Sequence, residues 1–177
     1  NMDRNLSLKD KTGQLDESFT LNFTKLFPSA SIHYQLKENF SINMAYSKRI
    51  DRTTTFKMNP FPEREHSETL EQGDPTLHPE LIDQVELGMS YKNKKGNRFI
   101  SSFYFRNVNH LINRVNTVYN DTILNRIYSN VGNAKVIGRE VTAEYNLGKK
   151  FKILASSNFY YNIIQGSFDG HTVNKDA

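Results

Sequence analysis

Gly73-Asp74-Pro75-Thr76-Leu77-His78-Pro79-Glu80 divides two kinds of sequence. A long polar stretch precedes it. After it, Val85, Leu87, Met89 and Tyr91 alternate with Gln84, Glu86, Gly88, Ser90 and Lys92. A two-residue period of this kind makes a strand with one apolar and one wet face. Two prolines and a glycine within eight residues cannot sit inside a hydrogen-bonded ladder, so the segment reads as a rigid approach to that strand.

The same alternation recurs on both sides. Ile32, Tyr34 and Leu36 lead into a turn at Lys37-Glu38-Asn39, and Phe40, Ile42, Met44 and Tyr46 lead away from it, a hairpin pattern. The strand after Glu80 ends at Asn93-Lys94-Lys95-Gly96 and returns through Phe99, Ser101, Phe103 and Phe105. A third hairpin joins Val141, Ala143, Tyr145 and Leu147 to Phe151, Ile153, Ala155, Phe159 and Tyr161 across Gly148-Lys149-Lys150. Between the hairpins, Asp51 to Glu80 and Asn113 to Ala134 read as long connections, and the residues after Gly166 as the start of another. Residues 1 to 20 are polar and aperiodic, apart from a short strand at Asn5–Leu8.

The expected fold is therefore all-β: an antiparallel meander of about six strands of about ten residues, the length that crosses a bilayer when tilted. Tight turns alternating with long loops match a transmembrane barrel with periplasmic turns and extracellular loops. A soluble meander would alternate in the same way but has less reason to sort its loops by length. The composition allows either: 177 residues, 37% hydrophobic, 24% charged and net charge +4, with mean hydropathy −0.65 and pI near 9.2. Low hydropathy does not exclude a barrel, because only alternate residues face lipid. Long apolar runs are absent, which removes a transmembrane helix. There is no Cys, so disulfides and thiolate chemistry are excluded. The lysines of the positive balance, such as Lys37, Lys94 and Lys149, are scattered through turns without a nucleic-acid motif, so no nucleic-acid partner is expected.

Several stretches, in order, resemble the C-terminal barrel of TonB-dependent outer-membrane receptors of the type carrying a carboxypeptidase-regulatory-like N-terminal module. Leu26-Phe27-Pro28-Ser29 opens a strand, and Tyr46-Ser47-Lys48-Arg49-Ile50-Asp51-Arg52 is similar to the family's Tyr-Ser-Arg-Arg-Ile-x-Arg. Asn59-Pro60-Phe61 and the Gly73–Glu80 stretch follow, then Phe103-Tyr104-Phe105-Arg106, Asn130-Val131-Gly132 and Gly138-Arg139-Glu140. Thr53 stands where the family usually has Pro, and Met58 where it usually has Leu. The resemblance runs over roughly residues 23 to 166. It implies a barrel of about 22 strands filled by a plug, in the outer membrane of a Gram-negative cell.

Six strands cannot close even a barrel of about eight, so residues 1–177 are expected to be a segment of such a barrel, with plug and N-terminal modules outside it. The resemblance further implies outer-membrane lipid, the plug of the same chain and, through the plug, an inner-membrane energy-coupling complex as partners. The function implied is energy-coupled uptake of a nutrient such as a glycan, metal chelate or vitamin. The competing reading is a soluble secreted β-module binding carbohydrate or protein. An isolated segment with open edges and a bare apolar face is expected to self-associate.

The loop residues of the family motifs are Arg49, Arg52, Asn59, Pro60, Gly73, Asp74, Pro75, Leu77, Pro79 and Glu80. Turn chemistry accounts for most of these residue types, so a structural role is favoured over substrate contact. Arg98, Arg106, Glu140 and Glu144 are candidates for the lumen, where cross-strand charge pairing is the plainer expectation. His33, His66, His78, His110 and His171 are widely spread without ligand spacing, and Glu63, Glu65, Glu68 and Glu71 lack a calcium-loop signature. No phosphate loop, nucleophile elbow or HExxH occurs, so neither enzymatic activity nor a cofactor or metal is expected.

Overall fold

The computed structural model describes residues 2–9, 16–66, 68–120, 123–148 and 150–176. Its strands are β1 (Met2–Lys9), β2 (Asp16–Phe23), β3 (Ser29–Lys37), β4 (Phe40–Asp51), β5 (Glu63–His66), β6 (Thr69–Gln72), β7 (Glu80–Lys92), β8 (Arg98–Asn120), β9 (Ile123–Leu147), β10 (Phe151–Phe168) and β11 (His171–Asp176). The main sheet runs β11-β10-β9-β8-β7-β4-β3, with every neighbouring pair antiparallel. β7 lies between β4 and β8, as the turn rhythm predicts. The three tight turns fall where expected, with Lys149 of the third outside the described residues and its flanks Leu147 and Phe151 paired. At the middle one the Asn93 side chain accepts hydrogen bonds from the Lys95 and Asn97 amides, both at 3.0 Å, an Asx-type closure that explains the choice of residue.

Register puts the strand alternation into rows that cross the sheet. One face carries Tyr46, Val85, Phe105, Ile137 and Tyr161 in one row and Met44, Leu87, Phe103, Arg139 and Phe159 in the next. The row farther from the turns is polar across four strands, Lys48, Asp83, Asn107 and Lys135, and ends on Ile163 in β10. There Lys48 Nζ lies 3.1 Å from Asp83, and the Tyr46 hydroxyl donates to the same carboxylate at 2.8 Å. The other face carries Gln84, Arg106, Val136 and Asn162, then Glu86, Tyr104, Gly138 and Tyr160, then Gly88, Ser102, Glu140 and Asn158. The sheet curls into a half-barrel, and shallow depressions open on this polar face.

Four expectations are corrected. The stretch from Asn113 to Ala134 is no loop, because β8 and β9 continue through it as one long hairpin paired from Arg98↔Glu144 to Asn120↔Ile123. Beyond the polar row neither face needs to be apolar, so alternation lapses. The ladder continues on β-branched Val115, Thr117, Val118, Ile123 and Ile127. The hairpin reaches about 30 Å past the end of β7, at about 3.3 Å per residue.

The second correction concerns Asp51 to Glu80, which contains a 3-10 turn at Phe56–Met58 and the β5–β6 hairpin; β6 pairs in parallel with β9 over Leu124–Ile127. Third, β10 runs past Gly166 to Phe168 and turns into β11. Fourth, the first described residues form β1, which contains the expected Asn5–Leu8 strand, and it pairs antiparallel with β2 in a sheet of its own, with Leu6 opposite Phe19. Phe19, Leu21 and Phe23 alternate with Thr20 and Asn22, a strand signal that begins at the end of the stretch, residues 1 to 20, read as aperiodic and runs past it.

The buried apolar residues do not lie under the aromatic face. They are Met58, Leu77, Leu81, Val108, Val131 and Ala134 among the described residues, in the Asp51–Glu80 segment and the strand portions at its level. The aromatic face stays open, with Phe159 67% exposed, so the long segment packs elsewhere and does not cover it.

Candidate functional site

Two constructions stand out: a polar depression on the concave face and a folded clasp beyond the end of β7. The depression has a volume of about 290 Å³ and is lined by Gln84, Glu86, Tyr104, Arg106, Val136, Glu140, Asn158, Tyr160 and Asn162. Its floor is braced across strands. Arg106 Nε donates to Gln84 Oε1 at 3.2 Å, which also accepts from Arg49 Nη2 at 2.8 Å. The Tyr104 hydroxyl donates to Asn158 at 3.2 Å, and its ring lies across Gly138, where a Cβ would come within 2.4 Å of it. Glycine at 138 is thus what lets Tyr104 lie flat between strands. Asn162 Oδ1 is buried without a hydrogen-bond partner. The depression offers two tyrosine rings, amides of both polarities and both charges, a surface able to hold a polar solute by stacking and hydrogen bonds.

Of the four charged residues singled out from sequence, Arg106 and Glu140 line this depression. Arg98 lines a neighbouring one with His33, Ser41 and Asn43. Arg98 and Glu144 are register partners, yet the ion pair of Glu144 is with Lys152 at 2.9 Å, while Arg98 Nε reaches Ser90 at 3.5 Å. Tyr104, Asn158, Tyr160 and Asn162 were missed. Strand alternation alone would have placed them on the wet face, because each stands between two residues of the apolar one.

The clasp gathers most of the loop-motif residues. Gly73 donates to Asn59 O at 2.6 Å and Asp74 to Lys57 O at 3.0 Å. A Cβ at Gly73 would stand 2.4 Å from the Lys57 carbonyl oxygen, so the crossing of these two chain segments requires glycine. Asp74 Oδ1 accepts from the Thr76 amide and hydroxyl, which turns the chain. Leu77 and Pro79 are then fully buried, and Pro75 is half-buried. Asn59 bonds the Phe61 amide and Glu63, and the Pro60 carbonyl accepts from Gln72. Arg52, just past β4, is exposed.

The clasp is fastened to the β8–β9 hairpin at a bulge. His110 adopts a left-handed φ of 57°, and the ladder shifts register between Asn109 and Ile112. Just past the slip, beyond the last β7 partner, the Ile112 amide donates to Glu80 Oε1 at 2.7 Å. Asn130 accepts from the His78 amide at 2.8 Å and donates to the His78 and His110 carbonyls at 3.0 and 2.7 Å. Phe56 meets the Tyr128 ring edge-on at 6.2 Å, and the Tyr128 hydroxyl donates to Glu71 at 2.8 Å. Among the described residues no group of three or more His, Asp or Glu side chains stands together as metal ligands.

A meander that is apolar outside, polar on its concave side, tight-turned at one end and elaborated at the other defines the wall of a transmembrane β-barrel. The chain belongs to the outer membrane protein beta-barrel family, whose model matches residues 3–177. No curated protein matches it. The match extends well beyond the stretch that carries the sequence resemblance. It places the protein in the outer membrane and sets aside the soluble-module reading.

The aromatic face is therefore the lipid face, and the Lys48–Asp83–Asn107–Lys135 row marks its edge. One residue departs from an uncharged exterior. Arg139 lies exposed on the lipid face, two rows inside that edge, with its Nε donating to Ser101 at 3.1 Å and its guanidinium 4.9 Å from the Phe103 ring centre. These contacts offset part of the cost of a charge at this depth.

Glu80 lies beyond that edge, and burial pushes its carboxyl up from the ordinary 4.5, against the opposing pull of the Ile112 amide. A raised carboxyl favours the protonated folded state. Its contribution is therefore fullest below pH 4.5 and declines as pH rises through the folded value. Glu80→Gln keeps an acceptor for Ile112 and removes the buried charge; it should flatten this pH dependence and leave the clasp at least as stable at pH 7. Glu80→Ala strands the amide and should cost about 1–3 kcal/mol. Hydrogen exchange at Ile112 from pH 4 to 8 checks both, and equal loss of protection in the two variants would refute this role.

Proposed function

We propose that the chain forms part of the barrel of a TonB-dependent receptor, importing a scarce polar nutrient such as a glycan, metal chelate or vitamin. The observation that carries this reading is the clasp. The Asn59-Pro60-Phe61 and Gly73–Glu80 motifs, separated in sequence, converge with Asn130 on one ordered structure at the loop end of the barrel. These are motifs in which the chain resembles such receptors. An ordered loop end suits a receptor that must recognise its ligand before transport, and the concave depression supplies tyrosines and amides farther in. A plug and an inner-membrane energy-coupling complex would complete the machine, and the isolated chain would self-associate through its open edges and lipid face.

The test is uptake in cells carrying the full chain, with and without the inner-membrane coupling protein. Uptake that vanishes when the coupling protein is deleted or the proton gradient collapsed supports the reading. Uptake unaffected by both would make this barrel a passive pore.

A further inference from the structure

We propose that His78 and His110 form a two-imidazole clip for a divalent transition-metal cation, zinc or copper, at the loop end of the barrel. The two histidines are far apart in sequence, and the tertiary structure brings their rings to 5.7 Å between centres at an interplanar angle of 37°. With metal–nitrogen bonds of about 2.0–2.1 Å, two imidazoles on one ion have ring centres about 5.2 Å apart at the tetrahedral angle and about 6.4 Å apart when opposed. The observed spacing lies inside that range.

The backbone beneath the pair is built rather than incidental. Asn130 alone bonds the His78 amide, the His78 carbonyl and the His110 carbonyl, so one side chain sets both residues relative to each other. His110 holds its left-handed φ of 57°, a conformation that a branched or bulky residue pays for and that clusters at functional positions. Both residues are exposed to solvent. Imidazole nitrogen suits zinc, copper and nickel over magnesium or calcium. With no third His, Asp or Glu side chain grouped there among the described residues, the remaining coordination positions stay open to water or to a chelator. The clip joins the Gly73–Glu80 segment to the β8 bulge, so an ion bound there ties the clasp to the hairpin.

The probes are Zn²⁺ in titration calorimetry and Cu²⁺ in electron paramagnetic resonance, applied to the full chain in detergent micelles. The expected result is one site per chain, two imidazole nitrogens in the copper spectrum, and affinity that falls as pH is lowered, because the ligands must be deprotonated. His78→Gln and His110→Gln should each abolish the two-nitrogen signal, whereas His33→Ala should leave it intact. Hydrogen exchange at residues 77–80 should slow on adding Zn²⁺ in the wild type and not in His78→Gln. A copper spectrum with a single nitrogen, or binding that survives either glutamine variant, overturns the proposal.

Discussion

Leu87→Arg is expected to destabilise the membrane-inserted protein by about 2–4 kcal/mol, the cost of an arginine on the lipid face near the bilayer midplane. Leu87 lies in the row of Met44, Phe103 and Phe159, two rows inside the polar edge, and its side chain is exposed on the outer face. Arg139 shares that row but has Ser101 and the Phe103 ring to lean on. An arginine at 87 would have Met44 and Phe103 as its row neighbours. The matched control is Ser102→Arg, on the concave face opposite Glu140, where water and a carboxylate receive the charge and the change should be small. Urea unfolding of vesicle-inserted protein measures both, and nitroxides at positions 87 and 86 should differ in access to an apolar quencher. Equal destabilisation by the two arginines would mean that the faces have been assigned wrongly.

Leu77→Ala should cost about 2–5 kcal/mol, the range for removing a fully buried leucine and leaving a cavity. Leu77 is 1% exposed, and its burial depends on the Asp74 turn immediately before it. The damage should be local. The clasp shares its small buried set with the strand portions at its level. It meets the sheet through the β6–β9 ladder and the side-chain bonds of Asn130 and Glu80, all beyond the membrane-level pairing of β4, β7 and β8, so it can open without unzipping those strands. Hydrogen exchange should show residues 51–80 exposed in the variant while the β4–β7 and β7–β8 amides remain protected. Loss of protection throughout, in step, would show instead that clasp and barrel wall are a single cooperative unit.

The span was readable wherever one face meets lipid and the other water. There the solvent imposes a strict two-residue period, and Val85, Leu87, Met89 and Phe99, Phe103, Phe105 display it plainly. Asn113 to Ala134 was misread because beyond the polar row no lipid imposes such a period, so its buried positions, Asn125, Val131 and Ala134, do not alternate, and its asparagines and arginines resemble a loop. The clasp was visible only as punctuation. Gly73, Asp74, Pro75 and Pro79 announced an ordered turn, but nothing in their spacing says that Asn130 and Glu80 fasten it to a bulge.

The amino-acid sequence by itself determined the all-β class, the three tight turns, the strand order around β7 and the two faces of the wall, because alternation and turn chemistry act between residues near in sequence. Tertiary structure alone decided which polar residues line the concave depression, why Gly73 and Gly138 must be glycine, and that His78 and His110 stand side by side. Those outcomes depend on contacts between segments not adjacent in sequence: the crossing of Gly73 over Lys57, and the long β8–β9 ladder with its slip around His110. Local pattern carries no record of such a slip, since its register is fixed by the partner strand and by the side chains that bond the backbone around it.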